Sequence, residues 1–206
     1  MYIPEFNRIE DRDTSLAFLR ANPFAILISS VDGHPFATHV PLAVSERSGQ
    51  IVLRGHVAKA NLHWKSFEQE QESLVIFQGP HAYISPALYE IRESVPTWNY
   101  AAVHVYGRVN LVDEKQAREI LEALIAEFDS SYAAQWASLS EDYRSRMLRH
   151  IVAFEMPASR LETKFKLSQN RTRTEQANIV RALTNSDDSA VAGVASLMRQ
   201  QGLGLP

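Results

Sequence analysis

The sequence predicts a mainly β protein with helices, an α+β fold in which the strands form a small antiparallel barrel. Segments rich in strand-forming residues follow one another in hairpin order, and turn signals such as Asp32-Gly33 separate them. Helical patterns occur between and after these segments without alternating regularly with them. This arrangement disfavours a doubly wound parallel sheet.

The first elements are a short helix and three strands. Residues 11–21 have helical spacing, with Asp13 as the cap. Strand patterns cover residues 24–31, 35–44 and 51–56. Because proline has no N–H for a ladder bond, Pro41 predicts that the second strand lies at an edge or is interrupted. A helix is expected at residues 58–67.

Further strands and then helices are expected in the rest of the chain. One strand covers residues 74–84 with a break at Gly79-Pro80, and a long strand has a bend at Gly107. That long strand is 97–112, and it is followed by helices at 113–128 (capped by Asp113) and 140–150, an extended segment at 151–166, helices at 175–183 and 189–201, and a frayed tail from 202. We therefore expect a barrel domain at residues 1–170 and a C-terminal helical extension at residues 171–206.

The composition is that of an ordinary globular protein. The chain has 206 residues, of which 45% are hydrophobic and 22% charged. It has no cysteine, which excludes disulfides, thiolate zinc sites, iron–sulfur clusters and thiol nucleophiles. The longest apolar run, residues 24–28, is far too short to span a membrane, and no signal sequence is recognisable. We therefore expect a cytoplasmic protein without a membrane partner.

Positive charge is concentrated in one segment of an otherwise acidic chain. The formal net charge is −3, but residues 144–173 hold eight cations and two acids. This segment has two competing uses, which are binding a phosphorylated ligand and contacting DNA. The C-terminal helices have the length of a helix–turn–helix, but the second carries only Arg199 as a cation, fewer than a major-groove reader usually has.

Four polar stretches are candidates for a binding site. The first, around Lys59, places a cation in the first turn of the expected helix, where a bound anion would explain it; an exposed surface lysine is the alternative. The second is the proline-containing strand at residues 36–42, which could pair with a planar ring or be a protected edge strand. The third, residues 96–100, could line a pocket or fill a barrel end. The fourth, residues 164–171, could recognise an anion or a ring edge, or be a solvated strand end.

No catalytic machinery can be named from the residues. The seven histidines have no metal-binding spacing, so we expect no metal site. Gly-rich phosphate loops and nucleophile elbows do not occur, and no acid–base pair can be singled out. Whether the protein is an enzyme is open at this stage.

Five uncommon stretches occur in a fixed order: HPFATHVPL, LRGHVAKAN, FQGPHAYISP, VPTWNY and KLSQNR. In this order and spacing they resemble the PaiB family, described as FMN-binding negative transcriptional regulators, over about residues 1–181. The resemblance implies an FMN-binding split barrel, related to pyridoxamine-phosphate oxidases, that forms a homodimer with flavin at the interface.

The resemblance also implies a set of cofactor-binding residues. Lys59 matches the flavin-phosphate position, beside His56, Ala60 and Asn61, and the strand that faces the isoalloxazine ring matches His39, Val40, Pro41 and Leu42. Trp98 and Tyr100 would lie near the partner's flavin or in the dimer seam. Lys166-Leu167-Ser168-Gln169-Asn170 replaces the superfamily's terminal Arg-Leu-His-Asp-Arg motif, with Lys166, Gln169 and Asn170 as the candidate contacts. The loss of both arginines disfavours pyridoxamine-phosphate oxidation. It also predicts that FMN binding is weak or conditional, with FMN weakly bound or absent in the purified protein.

The resemblance leaves three functions to weigh. The first is a flavin-binding repressor that acts on DNA directly or through a partner. The second is an FMN-dependent oxidoreductase of unknown small-molecule substrate, oriented by His39, Trp98 and Lys166. The third is a haem-binding split barrel, with His39, His56, His81 and His104 as possible ligands.

Overall fold

The computed structural model describes residues 1–69 and 71–205. The helices are α1 Arg12–Ala21, α2 Glu114–Phe128, α3 Ala133–Ser138, α4 Glu141–Leu148, α5 Arg173–Thr184 and α6 Ser189–Gln200. The strands are β1 Phe24–Val31, β2 His34–Pro41, β3 Ala43–Arg47, β4 Gln50–Ala58, β5 Glu72–Ile84, β6 Thr97–Arg108, β7 Asn110–Leu111 and β8 Ile151–Lys166. Short 3₁₀ helices cover Glu5–Asn7, Leu62–Gln69 and Pro86–Leu88. Within the described residues, no helix is long and apolar enough to cross a membrane.

The strands form one sheet in the order β2-β1-β5-β6-β8-β4-β3, and β7 pairs with β8. The pairs β1–β2, β1–β5, β3–β4, β4–β8 and β7–β8 are antiparallel. The predicted α+β class with an antiparallel sheet is therefore confirmed. The chain forms two compact units: unit 1 comprises Met1–Phe18, Gln78–Val103 and Glu162–Pro206, and unit 2 comprises Leu19–Phe77 and His104–Leu161.

Two tight turns and one interruption organise the first strands of unit 2. The turn between β1 and β2 has positive φ at Asp32 and Gly33, the geometry that suits a two-residue hairpin. The single strand expected at residues 35–44 is wrong, because β2 ends at Pro41 and pairs with β1, whereas β3 pairs with β4. The backbone N–H of Leu42 donates to the Pro23 carbonyl at 2.9 Å, outside either ladder. This is the interruption that Pro41 predicted.

The helix expected at residues 58–67 is also wrong. Strand β4 continues to Ala58, a turn follows, and only a 3₁₀ helix, Leu62–Gln69, is formed. The reason is local, since the Asn61 side chain accepts the backbone N–H of His63 at 3.1 Å and so competes with helical bonding. Lys59 therefore precedes the helix and is not in its first turn.

The glycines expected to break strands have a different role. Strand β5 runs through Gly79-Pro80 without a break, and in unit 1 a Cβ at Gly79 would lie 2.6 Å from the Phe18 ring. Strand β6 passes through Gly107 and ends at Arg108, and in unit 2 a Cβ at Gly107 would lie 2.4 Å from the Pro157 carbonyl oxygen. Both glycines permit close approach of a neighbour, which sequence patterns cannot distinguish from a bend.

The helices agree more closely with the sequence. Asp113 caps α2 through a capping box with Gln116, and Ser140 caps α4. The cap of α1 is Asp11 and not Asp13, because the Asp11 carboxylate accepts the Thr14 N–H at 2.8 Å. Helix α3 was not expected. A turn follows α6, since the N–H of Leu203 donates to the Met198 carbonyl at 2.9 Å, which closes the end of the helix.

Candidate functional site

A β-turn after β4 presents Lys59 on an immobilised backbone in unit 2. We call residues 58–61 the Lys59 turn; the Asn61 N–H closes it by donating to the Ala58 carbonyl at 2.8 Å. The Lys59 N–H donates to the His150 carbonyl at 2.8 Å, and the Lys59 carbonyl accepts the Trp64 indole N–H at 3.0 Å. The Lys59 side chain is exposed, and its ammonium has no partner among residues 1–69 and 71–205.

Side-chain hydrogen bonds connect this turn to β2. The Asn61 Nδ2 donates to Thr38 Oγ1 at 3.0 Å, and Thr38 Oγ1 lies 2.9 Å from His63 Nδ1. His63 is fully buried, and its ring lies 5.0 Å from that of Phe36 and 5.2 Å from that of Phe67. Burial lowers the pKa of His63 to about 4 by penalising the imidazolium form, so the ring is neutral at physiological pH.

Thr38 and His63 were not singled out from the sequence as site residues. Thr38 occurs in one of the five stretches that carry the resemblance, and Asn61-Leu62-His63 has the spacing of an Asx turn. Those were the available signals. Neither signal indicates that the two side chains meet, because the contact joins residues 25 positions apart.

The other expected residues of unit 2 divide into exposed and buried positions. His39 is exposed and stacks on the Phe24 ring at 6.0 Å, whereas Val40 and Leu42 are buried and Pro41 is exposed. Ala60 is exposed in the Lys59 turn. His56 is half-buried, and its pKa is lowered by desolvation. Unit 2 thus contains the expected phosphate-side and ring-side residues together.

At the end of β8, the lysine side chains make contacts with other residues of unit 1. Lys166 Nζ donates to Thr97 Oγ1 and, at 2.8 Å, to the Trp98 carbonyl. Its pKa is lowered first by desolvation and then by the charge of Lys164. Lys164 is buried, donates to the Tyr2 carbonyl at 3.1 Å, and has its ammonium 5.2 Å from the centre of the Tyr100 ring.

The residues after β8 form a tight structural turn. Gln169 accepts the Leu167 N–H at 2.7 Å and donates to the Phe165 carbonyl, so both ends of its amide are engaged. Ser168 has a φ of 63° and exchanges hydrogen bonds of 3.0 and 3.1 Å with the fully buried Asn99. Asn170 is exposed. Asn99 and Ser168 were missed as key polar residues, because their partnership joins distant parts of the chain.

An exposed aromatic surface lies on β5 and β6 of unit 1. Trp98 is 53% exposed and Tyr83 is 51% exposed. Their ring centres are 6.0 Å apart, and the His81 ring lies 6.1 Å from that of Trp98. This surface, the Trp98 surface, could receive a planar ligand or a second subunit.

Much of the basic segment is occupied by contacts within its own unit. In unit 2, Arg144 pairs with Glu141 at 2.9 Å, and Arg160 lies 3.5 Å from the Tyr106 ring centre. In unit 1, Arg171 lies 3.7 Å from the Tyr89 ring centre and 3.9 Å from the Glu175 carboxylate. Fewer cations of the basic segment are therefore available to a ligand than the formal charge of the segment suggests.

Comparison with protein families identifies the chain. Residues 1–160 match the model of the FMN_bind_2 family, described as "Putative FMN-binding domain". The chain belongs to this FMN-binding family. FMN is accordingly its cofactor, and the PaiB resemblance is confirmed by a relative from Bacillus subtilis, "Protease synthase and sporulation protein PAI 2", which is 34% identical over 98% of both chains.

Other relatives and solved structures agree with the family and the fold. An uncharacterized protein of Emericella nidulans is 27% identical, covering 89% of this chain and 90% of its own. The FAD and heme binding protein of Mycobacterium smegmatis superposes with a TM-score of 0.62 at 15% identity, covering 78% of this chain and 73% of that one. The flavocytochrome Anf3 of Azotobacter vinelandii gives 0.62 at 19% identity, covering 80% and 72%. These structural likenesses confirm the split-barrel fold.

Proposed function

We propose that this member of the FMN-binding family is a negative regulator of transcription and that unit 2 binds the FMN phosphate at the Lys59 turn. The observation that carries the site is the contrast between the immobilised backbone of the turn and the unpartnered, exposed Lys59 ammonium. A cation without a protein partner on a backbone held by hydrogen bonds suits a phosphate, because no bond within the protein has to break before the ammonium contacts the ligand. Asn61 and His56 supply further polar groups beside it.

The flavin ring is proposed to lie along the end of β2. His39 and Pro41 are exposed there, and the buried Val40 and Leu42 hold the strand in the core of unit 2. Within a homodimer, Trp98, Tyr100 and Asn170 of unit 1 are proposed to contact the flavin of the partner. Lys166 and Gln169 support this region through their internal hydrogen bonds.

The regulatory part of the proposal rests on the PaiB resemblance and on the Bacillus subtilis relative, whose name includes the words "sporulation protein" and which matches nearly the whole chain. We propose that repression works through a protein partner in the cytoplasm. Arg199 on α6 donates to Thr184 Oγ1 on α5 at 2.9 Å, so α6 is poorly suited to reading bases. The occupied arginines of the basic segment support the same view.

An FMN-dependent oxidoreductase is the second candidate, and the Trp98 surface favours it. Bound FMN supplies hydride and one-electron chemistry, while the protein binds and orients the substrate. We propose that Trp98 stacks on a planar substrate. That Lys166 and His39 orient this substrate stays a prediction from the sequence. Reduction of the FMN-loaded protein by NADH or NADPH, followed by screening of electron acceptors, tests this candidate; the haem-binding alternative stays a prediction that a haem titration tests.

The proposed function is tested by a binding measurement and a transcript measurement. After incubation with excess FMN, the protein should carry flavin absorbance through gel filtration. A chromosomal deletion should raise specific transcripts, and the wild-type gene should restore repression. Transcripts that do not change on deletion would contradict the regulatory role. A salt-dependent mobility shift of promoter DNA by the protein alone would replace the partner-mediated route with direct binding.

A further inference from the structure

The Thr38–Asn61–His63 contacts form a connected set of hydrogen bonds. We call these three residues the Thr38 network. The Asn61 amide Nδ2 can only donate, so Thr38 Oγ1 accepts from it at 3.0 Å. Thr38 Oγ1 also lies 2.9 Å from His63 Nδ1. The hydroxyl has a proton and a second lone pair, so it forms this bond with either neutral tautomer of the imidazole.

The surroundings of His63 exclude the imidazolium form. The side chain is fully buried against Phe36 and Phe67, and Nε2 has no hydrogen-bond partner among residues 1–69 and 71–205. A second proton would place a charge in this apolar environment, which is why the pKa of His63 is lowered to about 4. The ring thus stays neutral, with Nδ1 bonded to Thr38, over the physiological pH range.

We propose that Thr38 and His63 are positioning residues that hold the Lys59 turn at a fixed distance from the end of β2, a role that rests on the proposed FMN site. Thr38 immediately precedes His39 on β2, and Asn61 closes the Lys59 turn. The Asn61–Thr38 bond therefore ties the strand assigned to the flavin ring to the turn assigned to its phosphate, and the Thr38–His63 bond ties the same strand to the 3₁₀ helix that follows the turn. The backbone N–H of His63, donated to Asn61 Oδ1 at 3.1 Å, completes the connection.

The proposal makes the network a determinant of phosphate recognition. A ligand that has both the ring and the phosphate, such as FMN, must match the distance that the network fixes. Riboflavin has the ring but no phosphate, so it does not depend on that distance. Loss of the network should therefore weaken FMN binding much more than riboflavin binding, which a general loss of stability would not do.

Thr38→Val removes the hydroxyl but keeps the β-branched shape, and Thr38→Ser restores a hydroxyl. We expect Thr38→Val to weaken FMN binding about tenfold, riboflavin binding less than about twofold, and Thr38→Ser to remain within about twofold of wild type for both. The matched control is Ser29→Ala, because Ser29 and Ser73 form a buried hydroxyl pair of 2.8 Å in the same unit. Ser29→Ala should lower the denaturation midpoint and leave both affinities unchanged.

A second pair of variants keeps the proposal testable if Thr38→Val does not fold. His63→Asn retains a hydrogen-bonding amide near the place of Nδ1, whereas His63→Leu fills the space without one, so His63→Asn should bind FMN more tightly than His63→Leu. In wild type, the ¹⁵N shifts of His63 should show a neutral imidazole from pH 6 to 8.

The outcomes distinguish a failure of the positioning role from a failure of the proposed phosphate site. If Lys59→Ala weakens FMN binding but Thr38→Val binds FMN as wild type does, the site stands and the positioning role is overturned. Equal losses for FMN and riboflavin in Thr38→Val would overturn it as well, as would an imidazolium His63 at pH 6 to 8. If Lys59→Ala leaves FMN binding unchanged, the phosphate site itself is elsewhere.

Discussion

The Lys59 turn of unit 2 and the β8 end of unit 1 contain similar residues in opposite roles. At the Lys59 turn the backbone is held by hydrogen bonds, while the lysine side chain is exposed and unpartnered among the residues described. At the β8 end the lysine side chains themselves make the hydrogen bonds, to Thr97 Oγ1 and to the carbonyls of Trp98 and Tyr2. The Lys59 turn exposes its charge, whereas the β8 end uses its charges in hydrogen bonds within the protein.

This difference indicates which basic residues can bind an anion. A lysine whose donors already have protein acceptors must lose those bonds before it can contact a phosphate. Lys164 and Lys166 are in that position, and Lys59 is not. We therefore assign phosphate binding to the Lys59 turn and structural support to the β8 end. The following changes test that assignment, beginning with the largest expected effect.

Asn99→Leu should be the most damaging change, and its effect should be on stability. It removes both hydrogen bonds between Asn99 and Ser168 and leaves the Ser168 hydroxyl buried without them. We expect a loss of about 2–4 kcal/mol in the free energy of unfolding, measured by urea denaturation. FMN affinity at a temperature where the variant is folded should change less than about threefold. A variant of wild-type stability with lost FMN binding would reverse the assignment.

Lys166→Met should have a smaller effect of the same kind. Methionine keeps much of the aliphatic chain but cannot donate to Thr97 or to the Trp98 carbonyl. The expected loss in the free energy of unfolding is about 1 kcal/mol. Lys65→Met, at an exposed position of the Leu62–Gln69 helix, is the control and should leave stability unchanged. Should Lys166→Met instead abolish FMN binding at unchanged stability, the β8 end would be a ligand site.

The smallest expected effect is a difference between the two regions in how their contributions to stability depend on pH. The pKa of His63 is about 4 in the folded protein and near its ordinary value of 6.5 when unfolded, so the unfolded state binds the extra proton between these values. The His63 contribution is therefore constant above about pH 6.5 and decreases as the pH falls towards 4. His56, whose pKa is also lowered, acts in the same direction. The pKa of Lys166 is lowered in the folded protein, so at alkaline pH the unfolded state binds more protons than the folded state. Lys166 therefore affects the free energy of unfolding only at alkaline pH, where that free energy should rise with pH.

His63→Gln checks this prediction, because glutamine does not titrate. Its denaturation midpoint should change less between pH 6.5 and 4.5 than that of wild type, with the remaining slope due to His56 and the carboxylates. Identical slopes for the two proteins would contradict the assignment of a neutral, buried His63 to the Thr38 network.

The sequence predicted those elements whose determinants are local. Capping residues and apolar spacing predicted α2 and α4, and the Asp32-Gly33 turn predicted the first hairpin. It could not predict the role of Gly107, since the close contact with the Pro157 carbonyl belongs to a neighbouring strand. The same limit applies to the candidate site. The sequence pattern predicted Lys59 and Asn61 as site residues, but it did not indicate Thr38 and His63, because their contacts join distant parts of the chain and form only on folding.

The most direct test of the account compares FMN and riboflavin binding by wild type, Lys59→Ala and Lys65→Ala, measured by quenching of flavin fluorescence. Lys59 and Lys65 are both exposed lysines of unit 2, so the pair differs mainly in position. Lys59→Ala should bind FMN about 10- to 100-fold more weakly than wild type through loss of a charge-assisted contact, with riboflavin binding nearly unchanged. Lys65→Ala should match wild type. Equal FMN affinities for all three proteins would contradict the assignment of the phosphate to the Lys59 turn.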